Sequence, residues 1–190
     1  MNRVRRLFLS ALYLVFYFFP VATLAEETIV RSYLLPDHGN IQIKVPVSWK
    51  DDLRQPPHRL PPTITLKPKT GKPFEILITP IWPASKENQP MSSEKLKQLV
   101  QQGAERAKSQ AVEKTVPTQE LRGSSGMGYY FAVTDRAPGS EEYKYMTQGM
   151  IHIGDLTVTF TVLTNDGQEK IVTDALSMLK SAIHVNGNTT

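Results

Sequence analysis

Apolar and polar positions alternate in two blocks of this chain, and a stretch of helical periodicity follows each block. Thr28 to Leu35 predicts a strand, stopped by the turn-rich cluster Pro36-Asp37-His38-Gly39-Asn40. Asn40 to Val45 alternates cleanly, with Ile41, Ile43 and Val45 on one face. Thr63 to Leu66 and Phe74 to Ile81 follow, joined across Lys69-Thr70-Gly71-Lys72. Between them, Asp51 to Pro62 carries four prolines and reads as an irregular or polyproline-like loop. Proline fixes φ and donates no ladder hydrogen bond.

The first helical stretch starts at Ser92, a capping residue, with Glu94 near the positive end. Leu96, Leu99, Val100, Gly103, Ala107 and Ala111 form its apolar stripe, and the small residues in the second half predict close approach to a sheet. Thr118 to Gly123 and Met127 to Asp135 read as strands around Gly-Ser-Ser-Gly. The clearest hairpin turns at Gly154-Asp155. It pairs Ile153 with Leu156, Ile151 with Val158, Gly149 with Phe160 and Thr147 with Val162, so Phe160 covers a bare glycine. A capping box, Asp166 to Glu169, predicts the last helix, with Ile171, Val172, Ala175, Leu176, Leu179 and Ile183 as its stripe. Asn186-Gly187 ends it, and the tail frays.

Four strands, a helix, four strands and a helix predict an α+β domain. Short turns favour a single antiparallel sheet of about six to eight strands, packed by two main helices.

The N-terminus changes the picture of compartment. Arg3, Arg5 and Arg6 precede the apolar run Leu7 to Ala22, and Thr23-Leu24-Ala25 fits a cleavage site. Cleavage after Ala25 leaves one domain, residues 26–185, with a short disordered tail over 186–190, in the periplasm or secreted. The alternative is an uncleaved anchor, for which the run is short against about 20 residues and is interrupted by Pro20. Arg5-Arg6-Leu7-Phe8-Leu9 also resembles a twin-arginine signal. The short basic region and very apolar run suit the general secretory route better.

Without the leader, 19 basic residues face 18 acidic ones, so the +4 of the whole chain falls to +1. No global charge then argues for nucleic-acid binding. The absence of cysteine excludes disulfides, thiol nucleophiles, thiolate metal sites and a lipid-modified cysteine.

The stretch "IQIKVPVSW" closes a strand in Pro46 and then Trp49. It resembles the first core strand of the PsbP-like fold, which is shared by extrinsic photosystem II subunits, Ran-binding proteins of the Mog type and many small exported bacterial proteins. The element order is similar over roughly Thr28 to Ile183. The resemblance implies an α/β/α sandwich and leans toward non-enzymatic interaction; it supplies no catalytic residue. Trp49 is expected to pack at the rim of the core, and Trp82 likewise with more exposure.

Candidate chemistry is sparse. "RGSSGMG" matches neither the dinucleotide nor the Walker pattern and reads as a hairpin turn. His38, His58, His152 and His184 have no metal-ligand spacing, so no metal or cofactor is expected. No Gly-x-Ser-x-Gly elbow is present. From Lys50 to Lys72 the chain is locally +4: Lys50, Arg54, Arg59, Lys67, Lys69 and Lys72 outnumber Asp51 and Asp52, with His58 among them. These residues are candidate contacts for an envelope protein or an anionic surface; the plainer reading is a solvated loop.

The expected function is therefore an exported, non-enzymatic interaction or accessory protein. A second expectation is small-ligand binding on the amphiphilic hairpin face, at Gln148, Met150, His152, Thr157 and Thr159. A third is a hydrolase assembled only in the fold, with Asp51, Asp52, His58 and His152 as its best candidates.

Overall fold

A computed structural model describes residues 26–57, 60–82 and 91–187. The leader, His58, Arg59 and the last three residues of the tail lie outside the described residues. The elements in chain order are β1 (Thr28–Leu34), β2 (Asn40–Pro46), β3 (Trp49–Arg54), β4 (Thr63–Pro68), β5 (Glu75–Ile81), α1 (Ser93–Ala107), β6 (Gln119–Arg122), β7 (Met127–Thr134), β8 (Tyr145–Ile153), β9 (Leu156–Thr164), α2 (Glu169–Lys180) and β10 (Ile183–Val185).

The β8–β9 hairpin has the register its alternation predicts, Gly149 opposite Phe160 included. Gly154 turns it with φ of 60°, where a side chain is disfavoured. Around it grows a seven-stranded antiparallel sheet, ordered β3-β4-β5-β9-β8-β7-β6. Each of its faces holds a separate core. Leu96, Val100 and Ala104 of α1 pack on Tyr129, Phe131 and Val133 on one face. On the other, Ile64, Leu66, Ile76, Ile78, Val158 and Phe160 meet Ala175 and Leu179 of α2. Gly103 permits the close approach of α1, because a Cβ there would lie 3.2 Å from the Phe131 ring.

The α+β class, the antiparallel sheet and the two helices are as expected; the single sheet is not. β1 and β2 form a second, three-stranded sheet with β10, and Tyr33, Ile41, Ile43 and Val45 pack it into the same core as α2. The expected last helix therefore stops early, and Ile183 belongs to β10, paired with Gln42. Only β2, distant in sequence, supplies the hydrogen bonds that make this segment extended.

Two local expectations also change. Asp51 is not in an irregular loop: Trp49–Arg54 pairs with Thr63–Pro68, so the turn-like segment starts later. Helix α2 begins at Glu169 after Gln168, with no side-chain cap. Asp166 is instead held by Lys144 at 2.9 Å and the Tyr145 hydroxyl at 2.6 Å.

Gly-Ser-Ser-Gly is a hairpin turn with a second task. The backbone N–H and hydroxyl of Ser124 both donate to the Lys180 carbonyl, at 2.8 and 3.1 Å, and the Ser125 hydroxyl reaches Ala182 O. The Ser124 donors satisfy a carbonyl that the end of α2 leaves without a partner, and Ser125 holds the link that follows.

After α1, the chain is latched to the end of β7. Val112 N–H donates to Thr134 O, and the Glu113 carboxylate accepts the Thr134 N–H and, at 2.7 Å, its hydroxyl. Burial alone raises the Glu113 pKa, but the Thr134 hydrogen bonds outweigh it and leave the carboxyl below its ordinary value. A lowered folded-state pKa adds stability at neutral pH, which is lost as pH falls from about 5 through that pKa. The stability advantage of wild type over Glu113→Gln in urea titrations is therefore expected to shrink over that window. A difference independent of pH contradicts the assignment.

Candidate interaction surface

Of the predicted basic residues that are described, Lys50, Arg54 and Lys67 share one face of β3 and β4 with Asp52 among them, and Lys72 lies elsewhere. Lys50 and Arg54 lie on β3 and Lys67 on β4, where Lys50 is directly opposite Lys67. Like charges in opposite positions repel, and Lys67 is drawn off by Glu75 at 3.0 Å. That partner raises the Lys67 pKa above its ordinary value, chiefly through the hydrogen bond. Lys69 sits exposed at the turn after β4. Lys72 approaches the start of α2, with its Nζ beside Gly167.

The expected ligand face is divided by α1. Met150 packs into the core under that helix, and Gln148 lies beside Gly103. The Gln148 amide donates to Thr161 Oγ1 at 3.1 Å, and the Thr159 hydroxyl to Thr79 O at 3.4 Å, so part of the polar capacity of this face is spent within the sheet. Thr157 is buried and His152 half-buried. Thr63, Thr65, Leu77, Thr79 and Thr161 continue the same face across β4, β5 and β9.

Of the hydrolase candidates, the described Asp51, Asp52 and His152 are not brought together. Asp51 faces the small sheet, accepting the Tyr33 hydroxyl at 3.0 Å and facing Arg31 at 3.6 Å. Burial first, and then this carboxylate, push the Tyr33 phenol well above its ordinary pKa. Asp52 points to the opposite face of β3 by alternation. His152 lies four strands away, about 19 Å at the usual strand spacing. Among the described residues, no three His, Asp or Glu side chains are grouped to hold a metal ion.

Sequence reasoning missed the outer face of the small sheet. Val30 is 61% exposed, Leu34 72%, Ile183 49% and Val185 39%. Pairing places Val30 beside Lys44, and aligns Leu34, Asn40 and Val185 in one row. No carboxylate lies on this face over the paired rows. The signal was present in the alternation of Thr28 to Leu35, whose second face carries Val30 and Leu34. The contribution of β10 was not legible, because Ile183 continues the helical stripe of Leu176 and Leu179.

Two sheet edges come together beside this face. Among the described residues β1 pairs only with β2, and β3 only with β4. Arg31 and Tyr33 reach from β1 to Asp51 on β3, so β1 lies over β3 and both open edges face the same side. Lys50 and Arg54 are exposed too, but by alternation they share the face of Asp52, turned away from the small sheet.

No helix among the described residues is long and apolar enough to cross a membrane. No family model matches the chain, and no curated protein matches it. Among solved structures, the solution structure of cyanobacterial PsbP (CyanoP) from Synechocystis sp. PCC 6803 is similar to it. The likeness covers 82% of this chain and 92% of that one, at 8% identity and a TM-score of 0.47. A likeness of that size carries no function to this chain.

Proposed function

We propose that this chain is an exported, non-enzymatic interaction module of the cell envelope that takes an extended segment of a partner protein at the β1 edge. One observation carries the reading: β1 combines an edge unpaired among the described residues with two strongly exposed aliphatic side chains, Val30 and Leu34. An unpaired edge offers a row of free N–H and C=O groups, and an added strand satisfies them while alternate side chains give specificity. The partner segment extends the aliphatic row of Leu34 and Val185. It carries acidic residues, because the exposed Lys44 lies beside Val30 and the aliphatic face has no carboxylate over the paired rows. Removal of the leader after Ala25 and kinship with the PsbP-like fold belong to the same proposal. The Pro46-x-x-Trp49 corner and the order of elements support that kinship.

Photo-crosslinking from position 34 in the native envelope tests this. The expected product maps to an extended partner segment with alternating apolar and acidic residues. A Val30→Asp/Leu34→Asp variant is expected to lose about tenfold or more in affinity for that segment, since each aspartate is desolvated against apolar groups. Moderate salt weakens binding further. No product, or the same products from position 105 on the exposed face of α1, overturns the proposal.

A further inference from the structure

A groove lies on the α2 side of the large sheet, where β7, β8 and β9 extend past the start of that helix. Its floor is small: Ala132 and Thr134 of β7 beside Tyr145 and Thr147 of β8. The first turns of α2, with Glu169 and Val172, make one wall, and the latched Glu113 makes the other. The groove is open on one side, with a volume of about 310 Å³, at the lower end of the range for small-molecule sites.

Charge distinguishes this groove from an ordinary surface depression. Its lining contains no lysine, arginine or histidine and two carboxylates, Glu113 and Glu169. Among the described residues neither carboxylate has an ion-pair partner. Lys144, the cation next to the groove residue Tyr145, is held by Asp166, which also takes the Tyr145 hydroxyl. Glu113 is locked in place by the Thr134 N–H and hydroxyl, so its orientation is set before any ligand arrives. The remaining lining is mostly apolar.

We propose that this groove binds a small organic cation, an ammonium group on an apolar body. The ammonium meets Glu113, with Glu169 adding to the field, and the body lies on Ala132, Val172 and the methyl of Thr147. A partly desolvated carboxylate with no counter-charge favours a cation and rejects an anion, and a hydrogen bond between charged groups is stronger than a neutral one. The site is separate from the β1 edge and does not depend on the interaction reading.

Titration of the full chain with benzylamine, benzyl alcohol and benzoate at pH 7, followed by amide chemical shifts, tests the proposal. Benzylamine is expected to saturate with a Kd of about 1 mM and to shift Glu113, Thr134, Thr147 and Glu169. Benzyl alcohol binds about tenfold more weakly, and benzoate does not bind. Glu113→Gln keeps an acceptor for Thr134 and lowers benzylamine affinity to that of the alcohol. Ala132→Leu, at an exposed position, fills the floor and abolishes both. The proposal is overturned by equal affinity for amine and alcohol, by unchanged amine binding in either variant, by shifts outside the groove, or by no saturation at about 50 mM.

Discussion

Phe160→Ala lowers the unfolding free energy by about 3–5 kcal/mol in a urea titration. Phe160 is 1% exposed and sits in the centre of the core shared by α2 and the small sheet. Its ring fills the space that Gly149, directly opposite on β8, leaves empty: a Cβ at Gly149 would lie 2.6 Å from Phe160 Cζ. Alanine at 160 thus opens a cavity that the rigid strand pair cannot close. Gly149→Ala is destabilising as well, and combining it with Phe160→Ala does not restore stability. The reason is that the added Cβ also strikes the Tyr129 carbonyl and the Tyr130 Cβ on β7. A loss below about 1.5 kcal/mol for Phe160→Ala means that the site collapses or fills from outside, which contradicts this packing.

Trp49→Ala costs a similar amount, about 3–5 kcal/mol, and its effect is felt at a distance. Trp49 is 3% exposed, and its ring lies 4.9 Å from that of Phe74 at 60°, a tilted aromatic pair. Position also matters. Pro46 ends β2 in the small sheet and Trp49 opens β3 in the large one, so Pro46-Val47-Ser48-Trp49 is the covalent crossing between sheets. Val47 N–H donates to Glu27 O and Lys69 N–H to Ser48 O, fixing the crossing to one strand end on each side. Loss of the indole is expected to speed amide exchange in Thr28 to Leu34 more than in the β8–β9 hairpin. The buried component of tryptophan emission disappears, leaving the more exposed Trp82. Uniform acceleration of exchange, or a stability loss below about 1 kcal/mol, is incompatible with Trp49 as the clamp between sheets.

The legible parts of the fold were those in which local chemistry and tertiary packing agree. Gly154-Asp155 between two alternating runs admits one register, because a one-residue slip would send Phe160 and Val158 to the other face. Ser92 caps α1 as its sequence suggests, with its hydroxyl accepting from Lys95 N–H. Asp166 showed the limit of that logic. It has a capping residue's sequence context but meets Lys144 and Tyr145, which a linear reading does not place beside it. The basic run from Lys50 to Lys72 met the same limit: its described residues fold as strands and a turn, where Lys50, Arg54 and Lys67 share a face with Asp52, and Lys72 lies beside Gly167.

By itself, the sequence determined the class of the domain, the hairpin at its centre, the two helices and the burial of Trp49. Each follows from side-chain period or turn chemistry, which act over a few residues. Only the tertiary structure decided that β1, β2 and β10 form their own sheet, that their outer face exposes Val30, Leu34, Ile183 and Val185, and that Glu113 faces Glu169 across a groove. Those arrangements join segments as much as about 150 residues apart, and nothing in either segment alone encodes the partner it meets.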